Sequence, residues 1–516
     1  MSEKQFFHFG DQARPWGPRP AVSGRRDRSA PILAAGPLVK TMLARTDSWK
    51  RKAVFLGFCL LLTVCDFVLS RTPGWIYGYD DVYYFVYLPT LIVDRDLNFD
   101  NQLEAFRRRR GDNSLDFVLR NAEGAIVTNY GIGQALLSLP FFLLGFPLTF
   151  LARRFGLSWN YDGMNPLFQF STSAASVVWG SFGLMLCHRL LERHFTEPAA
   201  RRSVSLVFWA TPLIYYMCLT PTMAHACAFF AVALWFYLWD RRRPELPLWQ
   251  AAALGAAGAL PFMVRYPNLL VWLGVSVDWF RWRAEKPANL GNLRWFLFWS
   301  VAGGSFFVCI APQLWVWRQM FGTVWVNPYQ SDALFSNWTH PQVWRLLFSD
   351  LRGLFNWHPV LLIALYGVIV SLRRRRWLAA HSLVVLGGLI LLYASYSTSL
   401  EVSFGSRVFV EALPFFAVGL AAFLSAGPGA ALRWGLCVCL IPLNLAFALA
   451  YLIESGSYEE TFTWRQRIAH AAQLPPKVAR RLRDNIAKLG FGFDRDDPGL
   501  ESPAGNSTSS GNDSRR

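Results

Sequence analysis

The chain has 516 residues, of which 53% are apolar, 16% aromatic and 16% charged, and its formal net charge is +17. A soluble domain carries roughly 25% charged residues. Apolar runs of about 20 residues, the helix length that crosses a ~30 Å hydrocarbon slab, recur here from Ala53 to Leu452. A soluble enzyme is excluded, and so is a membrane barrel with its alternating strands, which leaves an all-α polytopic membrane protein.

The Lys and Arg excess falls in short clusters between apolar runs, where it reads as a topology signal. No nucleic acid is expected as a partner. Residues 1–52 form a basic tail whose Arg/Pro/Gly-rich first part lacks apolar periodicity and is expected to be disordered. No signal-peptide cleavage pattern precedes the first apolar run, so Ala53 to Ser70 is expected to stay as an anchor. The clusters Lys50 to Lys52, Arg189 to Arg202, Arg241 to Arg243, Arg281 to Lys286 and Arg373 to Arg376 are assigned to the cytoplasm. The first outer loop, 71–133, then lies on the extracytoplasmic side.

That loop carries YDDVYYFVYLPTLIVDRDLNFDNQ. Asp80 and Asp81 head a segment in which Tyr83 and Tyr87 share a helical face, which predicts an amphipathic helix resting on headgroups with its carboxylates at the N-terminal end. One of these carboxylates could serve as a general base for an incoming hydroxyl; the alternative is a helix cap with solvated acids. Asp94, Asp96, Asn98, Asp100 and Asn101 alternate with apolar residues. They read either as oxygen ligands for a divalent cation such as Mg or Mn, or as a turn-forming polar face.

A full crossing at 134–152 would carry the basic 189–202 segment outside. Pro140, Gly145 and Pro147 interrupt this run, so it is read as a helix or re-entrant piece lying at the outer face. Further spans are expected near 168–188, 203–220, 224–239, 248–264, 268–280, 294–314, 358–372, 377–396, 405–424 and 431–453. With the anchor this makes about eleven crossings, each near the length a bilayer requires. A later outer loop, 313–358, is rich in Trp. The tail from 454 to 516 ends in a low-complexity, disordered stretch, and its basic part from Lys477 to Lys488 conflicts with an outer location. All eight cysteines lie inside apolar runs and read as buried small hydrophobes.

With this threading the polar residues collect on one side of the membrane: the Asp-rich loop, His225 in TPTMAH, Arg265 in VRYPN, and Glu401 and Arg407 in YSTSLEVSFGSR. Charges at span ends are costly unless paired or used on a ligand, so Arg265 and Arg407 are candidates for gripping a lipid phosphate. The alternatives are snorkelling, or pairing with Glu401 or Glu411. His225 is read as a helix-end residue or a ligand group.

The quoted Asp-rich stretch resembles the first outer loop of the GT-C membrane glycosyltransferases, which include protein O-mannosyltransferases and lipid A aminoarabinose transferases. NYGIGQALLSLPFF, TPLIYYMCLTPTMAHACAFF and FGSRVFVEALPFFAVGLA also look like stretches of bacterial members, so the resemblance runs over about 53–452. It implies a polyprenyl-phosphate sugar donor in the outer leaflet and an inverting transfer to an envelope lipid, glycan or protein. It also implies an acidic base in the first outer loop, a role that falls on Asp80 or Asp81. A divalent cation is left open. Two rival readings remain: an O-antigen ligase or polymerase, and a non-enzymatic transporter of lipid-linked sugars.

Overall fold

The computed structural model describes residues 53–67, 76, 78–110, 119–285, 290–327, 337–396, 403–454 and 463–492, less single gaps at 122, 243–244, 246, 426 and 428. Contacts divide the chain after Val54, and the elements described below belong to the unit Phe55–Arg516, apart from the first two residues of the first helix.

That helix, α1 (Ala53–Phe67), is apolar and packs Phe55 on Phe208 and Phe67 on Phe170. Next come α2 (Tyr79–Pro89), α3 (Asp100–Arg110) and a two-stranded hairpin, β1 (Leu119–Arg120) and β2 (Ile126–Val127), antiparallel with Leu119 opposite Val127. α2 runs on as a π-helical turn, Thr90–Asp94, ended by Arg95 in the left-handed region at φ 64°. The expected amphipathic helix on the headgroups is not what forms: every residue of α2 from Asp81 to Pro89 is buried. The helix is wrapped by a core of its own, which includes Phe99 just before α3, Leu103 and Phe106 of α3, Ile126 and Val127 of the hairpin, and Phe142, Phe168, Val316 and Met320 from later helices. These partners are remote in sequence, so nothing in the local pattern of α2 announces them.

α4 (Gly133–Arg154) is a single unbroken helix of 22 residues that passes through both Pro140 and Pro147. The prolines do not break it, contrary to expectation. α4 leaves Leu136, Leu143, Leu144, Leu148, Phe150 and Leu151 exposed, a lipid-suited face, and lays its other side along α5 (Pro166–Glu192). Asn165 starts α5 well. Its side chain accepts from Leu167 N at 2.9 Å while its amide donates to Thr149 Oγ1 at 3.0 Å, which ties the helix start to the end of α4. α5 then delivers Arg193 and His194 to Asp240 at 2.7 and 2.8 Å. Because Asp240 sits among Arg241 and Arg242, α4 turns back into α5 at the end of the molecule remote from these basic groups. α5 therefore runs from that end toward the basic groups.

The rest is helical: α6 (Glu197–Trp209), α7 (His225–Arg241), α8 (Leu248–Val264), α9 (Gly274–Glu285), α10 (Asn292–Cys309), α11 (Ala311–Phe321), α12 (Val343–Phe348), α13 (Leu354–Trp357), α14 (Pro359–Ser371), α15 (Arg376–Ala394), α16 (Leu413–Ser425), α17 (Ala430–Val438), α18 (Leu440–Glu454), α19 (Trp464–Ala472) and α20 (Leu474–Gly492). Among the described residues, four segments are long and apolar enough to cross a membrane: α4, α5, α15 and the pair α17 and α18. α10 and α11 together make a fifth, bent by 42°. α1, α8, α14 and α16 are shorter apolar helices. The span expected at 405–424 is helical only from Leu413, and residues 311–321, expected partly as loop, continue α10 as helix.

Close helix contact relies on small residues where no aqueous driving force pulls helices together. α14 and α16 touch at Gly367 and Gly419, where a Cβ on Gly419 would overlap the Ala364 carbonyl oxygen. α19 pins the tail to the preceding helices: Arg467, 2% exposed, pairs with Asp350 at 3.6 Å and lies over Trp357 and Trp464. Of the cysteines, five are buried as expected, whereas Cys65 and Cys439 are exposed and Cys309 is partly so.

Candidate active site

The charged residues that are hardest to explain in lipid converge at the end of the helices opposite the basic clusters. α7 sets the distance, since His225 opens it and Asp240 and Arg241 close it, about 24 Å away at 1.5 Å per residue. α8 stops at Val264; Arg265 is extended (φ −151°, ψ 119°) and Pro267 begins a short 3-10 segment, so Arg265 is presented at the helix end. Arg407 opens another 3-10 turn, and Glu411 precedes α16 by two residues. Asp80 and Asp81 occupy the first turn of α2, where the helix dipole favours carboxylates.

Two interlocked groups result. In the first, the Arg407 guanidinium meets Asp80 Oδ2 at 2.7 Å, and the Tyr130 hydroxyl donates to Asp80 Oδ1 at 2.6 Å. Burial, with the Asp80 charge adding to it, pushes the Tyr130 phenol well above its ordinary pKa, so Tyr130 acts as a donor and keeps its proton. Its ring is held by Tyr84 at 4.7 Å and Tyr83 at 5.9 Å, and its carbonyl accepts from Tyr87 Oη at 2.8 Å. In the second, Glu411 is fully buried and its charge is met by Arg265 at 3.4 Å, with the His225 ring 3.3 Å away, while Arg265 also reaches His225 Nδ1 at 2.6 Å. Tyr216 packs on the His225 ring at 4.7 Å.

The two carboxylates of the Asp pair differ in kind. Asp81 is 2% exposed and accepts a hydrogen bond from the Thr222 hydroxyl, whereas the Asp80 side chain keeps 19% exposure. Arg265 and Arg407 each keep 16%. Asp80, Arg265 and Arg407 therefore form the accessible surface of the cluster, with Glu411, His225, Asp81 and Tyr130 behind them. The support is tight. Gly133 lies against the Met263–Val264 backbone, where a Cβ would be 2.5 Å from the Met263 carbonyl carbon, so the start of α4 is pressed onto the residues just before Arg265.

The structure thus gathers Asp80, Asp81, His225, Arg265 and Arg407. The Arg407 guanidinium pairs with Asp80, and Glu411 pairs with Arg265, one of the pairings the sequence offered. Glu401 lies outside the described residues. Arg107 and Arg108 of the basic run at 107–110 lie on α3 beside Glu104, at 3.8 and 3.6 Å. Tyr130 and Thr222 join the site without any local signal in the sequence, where nothing distinguishes them from other interfacial hydroxyls.

Asp94, Asp96 and Asn98 lie away from this cluster, 13 or more positions along from Asp81, and they hold turns. Asp94 Oδ2 accepts from Asn101 at 2.9 Å and from Gln102, Asp96 Oδ1 accepts from Asn98 N at 3.1 Å, and Asn98 Oδ1 accepts from Asp100 N at 3.1 Å. One side-chain oxygen of each is held by the chain, as a polar turn would hold it. Among the described residues no group of three or more His, Cys, Asp or Glu is placed to hold a metal ion.

No protein-family profile matches the chain, and no curated protein sequence matches it. Among solved structures it is similar to ArnT from Cupriavidus metallidurans bound to undecaprenyl phosphate, at 11% identity and a TM-score of 0.46, over 86% of this chain and 74% of that one. The apo form of the same protein aligns at 12% identity and a TM-score of 0.45, over 87% and 75%.

Proposed function

We propose that the chain is an inner-membrane glycosyltransferase that moves a sugar from a polyprenyl-phosphate donor to an envelope acceptor at the extracytoplasmic face. The observation that carries this reading is that Asp80, Arg407 and Arg265 stay partly exposed at one end of an apolar bundle, Arg407 paired with Asp80 and both guanidiniums acting on the buried Glu411. A lipid-borne phosphodiester suits that surface: its chain stays in lipid while its phosphate meets arginine, which binds phosphate bidentately.

In the proposed reaction Asp80 accepts the proton of the acceptor hydroxyl or amine as that atom forms a bond to the anomeric carbon. The bond from the anomeric carbon to the phosphate oxygen breaks, with inversion, and the electron pair leaves with the polyprenyl phosphate, whose charge Arg407 and Arg265 meet. Asp80 is preferred to Asp81 because a base must reach its substrate within hydrogen-bond distance, and Asp81 is covered. Donor binding also frees the base, because a phosphate that takes over Arg407 releases Asp80 from its ion pair. Glu411 holds Arg265 in place from behind.

The test is transfer by purified protein from a panel of polyprenyl-monophosphate sugars. Transfer from at least one supports the reading. Transfer only from pyrophosphate-linked oligosaccharides points instead to a ligase or polymerase, and lipid-linked sugar crossing vesicles without transfer points to a transporter.

A further inference from the structure

The opposite end of the molecule holds a second polar site, which takes no part in the proposed transfer. His194 beyond α5, Asp240 at the end of α7, Arg281 and Glu285 of α9, and Arg373 to Trp377 at the turn into α15 enclose a cavity of about 470 Å³. Five arginines line it against two carboxylates, and both acids are already engaged. Asp240 holds Arg193 and His194, and Glu285 accepts from Arg281 at 3.0 Å and from Trp377. Arg375 donates to the His194 carbonyl at 2.6 Å and lies 4.1 Å over Phe195. Among the described residues, no carboxylate pairs with Arg373, Arg374 or Arg376. α15 starts at this same spot with no acidic residue in its first turn, so its positive dipole end adds to the surplus.

Topology alone needs positive charge on loops and is served equally well by exposed, separated arginines. It gives no reason to gather five of them around a cavity whose own acids are spent. Two neighbours indicate what fills it. Leu372, 38% exposed, precedes Arg373, and Phe280, 64% exposed, precedes Arg281, so apolar surface suited to acyl chains adjoins the arginines. Basic pockets between membrane helices suit anionic headgroups.

We propose that this pocket binds the phosphate of an anionic phospholipid headgroup from the leaflet at the basic end. Arg373 and Arg374 supply the principal charge, Arg376 and the start of α15 complete the cradle, and the acyl chains lie along Leu372 and Phe280.

The test is thermal unfolding of the full chain in detergent with three probes: dioctanoyl phosphatidylglycerol, dioctanoyl phosphatidylcholine and inorganic phosphate. Only phosphatidylglycerol is expected to raise the melting temperature. Arg373→Gln/Arg374→Gln, unchanged in melting without lipid, is expected to bind it about thirtyfold more weakly, from about 1 kcal/mol per arginine. A control pair on α20, Arg480→Gln/Arg483→Gln, keeps the full response. Equal protection by phosphatidylcholine or by inorganic phosphate overturns the proposal, as does an unchanged response in the 373/374 variant or an equal loss in the control. Should the double variant fail to insert, Arg376→Gln is read by the same criteria with a smaller loss expected.

Discussion

Asp80→Asn and Asp81→Asn separate chemistry from architecture at two adjacent positions. An Asn at 80 keeps the shape and can still accept from the Tyr130 hydroxyl, but it loses the charge that faces Arg407 at 2.7 Å and the ability to take a proton. General-base catalysis contributes roughly 10²- to 10⁴-fold, so kcat for Asp80→Asn is expected to fall by about that factor. The ion pair lost is partly exposed, at 19% and 16%, and its removal should cost no more than about 1 kcal/mol of stability. At 81, Asn keeps an oxygen for Thr222 in a site that is 2% exposed, so activity is expected to stay within about tenfold of the parent, while Asp81→Ala leaves the Thr222 hydroxyl without its acceptor and costs about 1 to 3 kcal/mol of stability. The assay is sugar transfer in proteoliposomes with melting temperature measured in parallel. Full activity in Asp80→Asn, or abolished activity with normal melting in Asp81→Asn, refutes the assignment of the base to Asp80.

The same geometry sets the outcome at three further positions. Tyr130→Phe removes a hydrogen bond to a carboxylate, worth about 1.5 to 3 kcal/mol; it is expected to slow transfer and change donor affinity little, read from kcat and KM separately. Glu411→Ala leaves Arg265 without its buried counter-charge and is expected to destabilise by about 3 kcal/mol, as is usual when one partner of a buried pair is removed. Glu411→Gln, which can still accept hydrogen bonds, is expected to melt closer to the parent. Gly419→Leu forces α14 and α16 apart where even a Cβ would overlap the Ala364 carbonyl, and is expected to lower the yield of folded protein in detergent without any change at the mouth.

The physics of single charges in lipid decides how much of the site is legible in the sequence. Asp80, Asp81, Arg265 and Arg407 stand out because a charge at the end of an apolar run is costly and calls for a reason. Their pairing does not. Arg407 and Glu411 stand four apart and look like natural partners, yet the chain brings Asp80 across more than three hundred residues to Arg407 and leaves Glu411 for Arg265. The prolines mislead about residues 134–152: α4 bridges both without breaking, as a helix long and apolar enough to cross a membrane. α2 is misjudged because amphipathicity is a local property, and its burial depends on Phe106, Phe142, Phe168 and Val316, which only the folded chain assembles around it. Asp94 and its neighbours resemble ligands because turn-forming acids and metal-binding acids share one composition; which of the two they are depends on whether backbone amides and Asn or Gln side chains reach the oxygens first.

Docking of the donor's phosphate between Arg407 and Arg265 is the central claim, and native mass spectrometry of the protein with undecaprenyl phosphate tests that contact before any sugar or acceptor is known. The parent and Arg374→Gln are expected to retain the lipid, and Arg265→Gln/Arg407→Gln to lose it. Equal retention by the Arg265/Arg407 double variant, in a protein that melts normally, would contradict that docking.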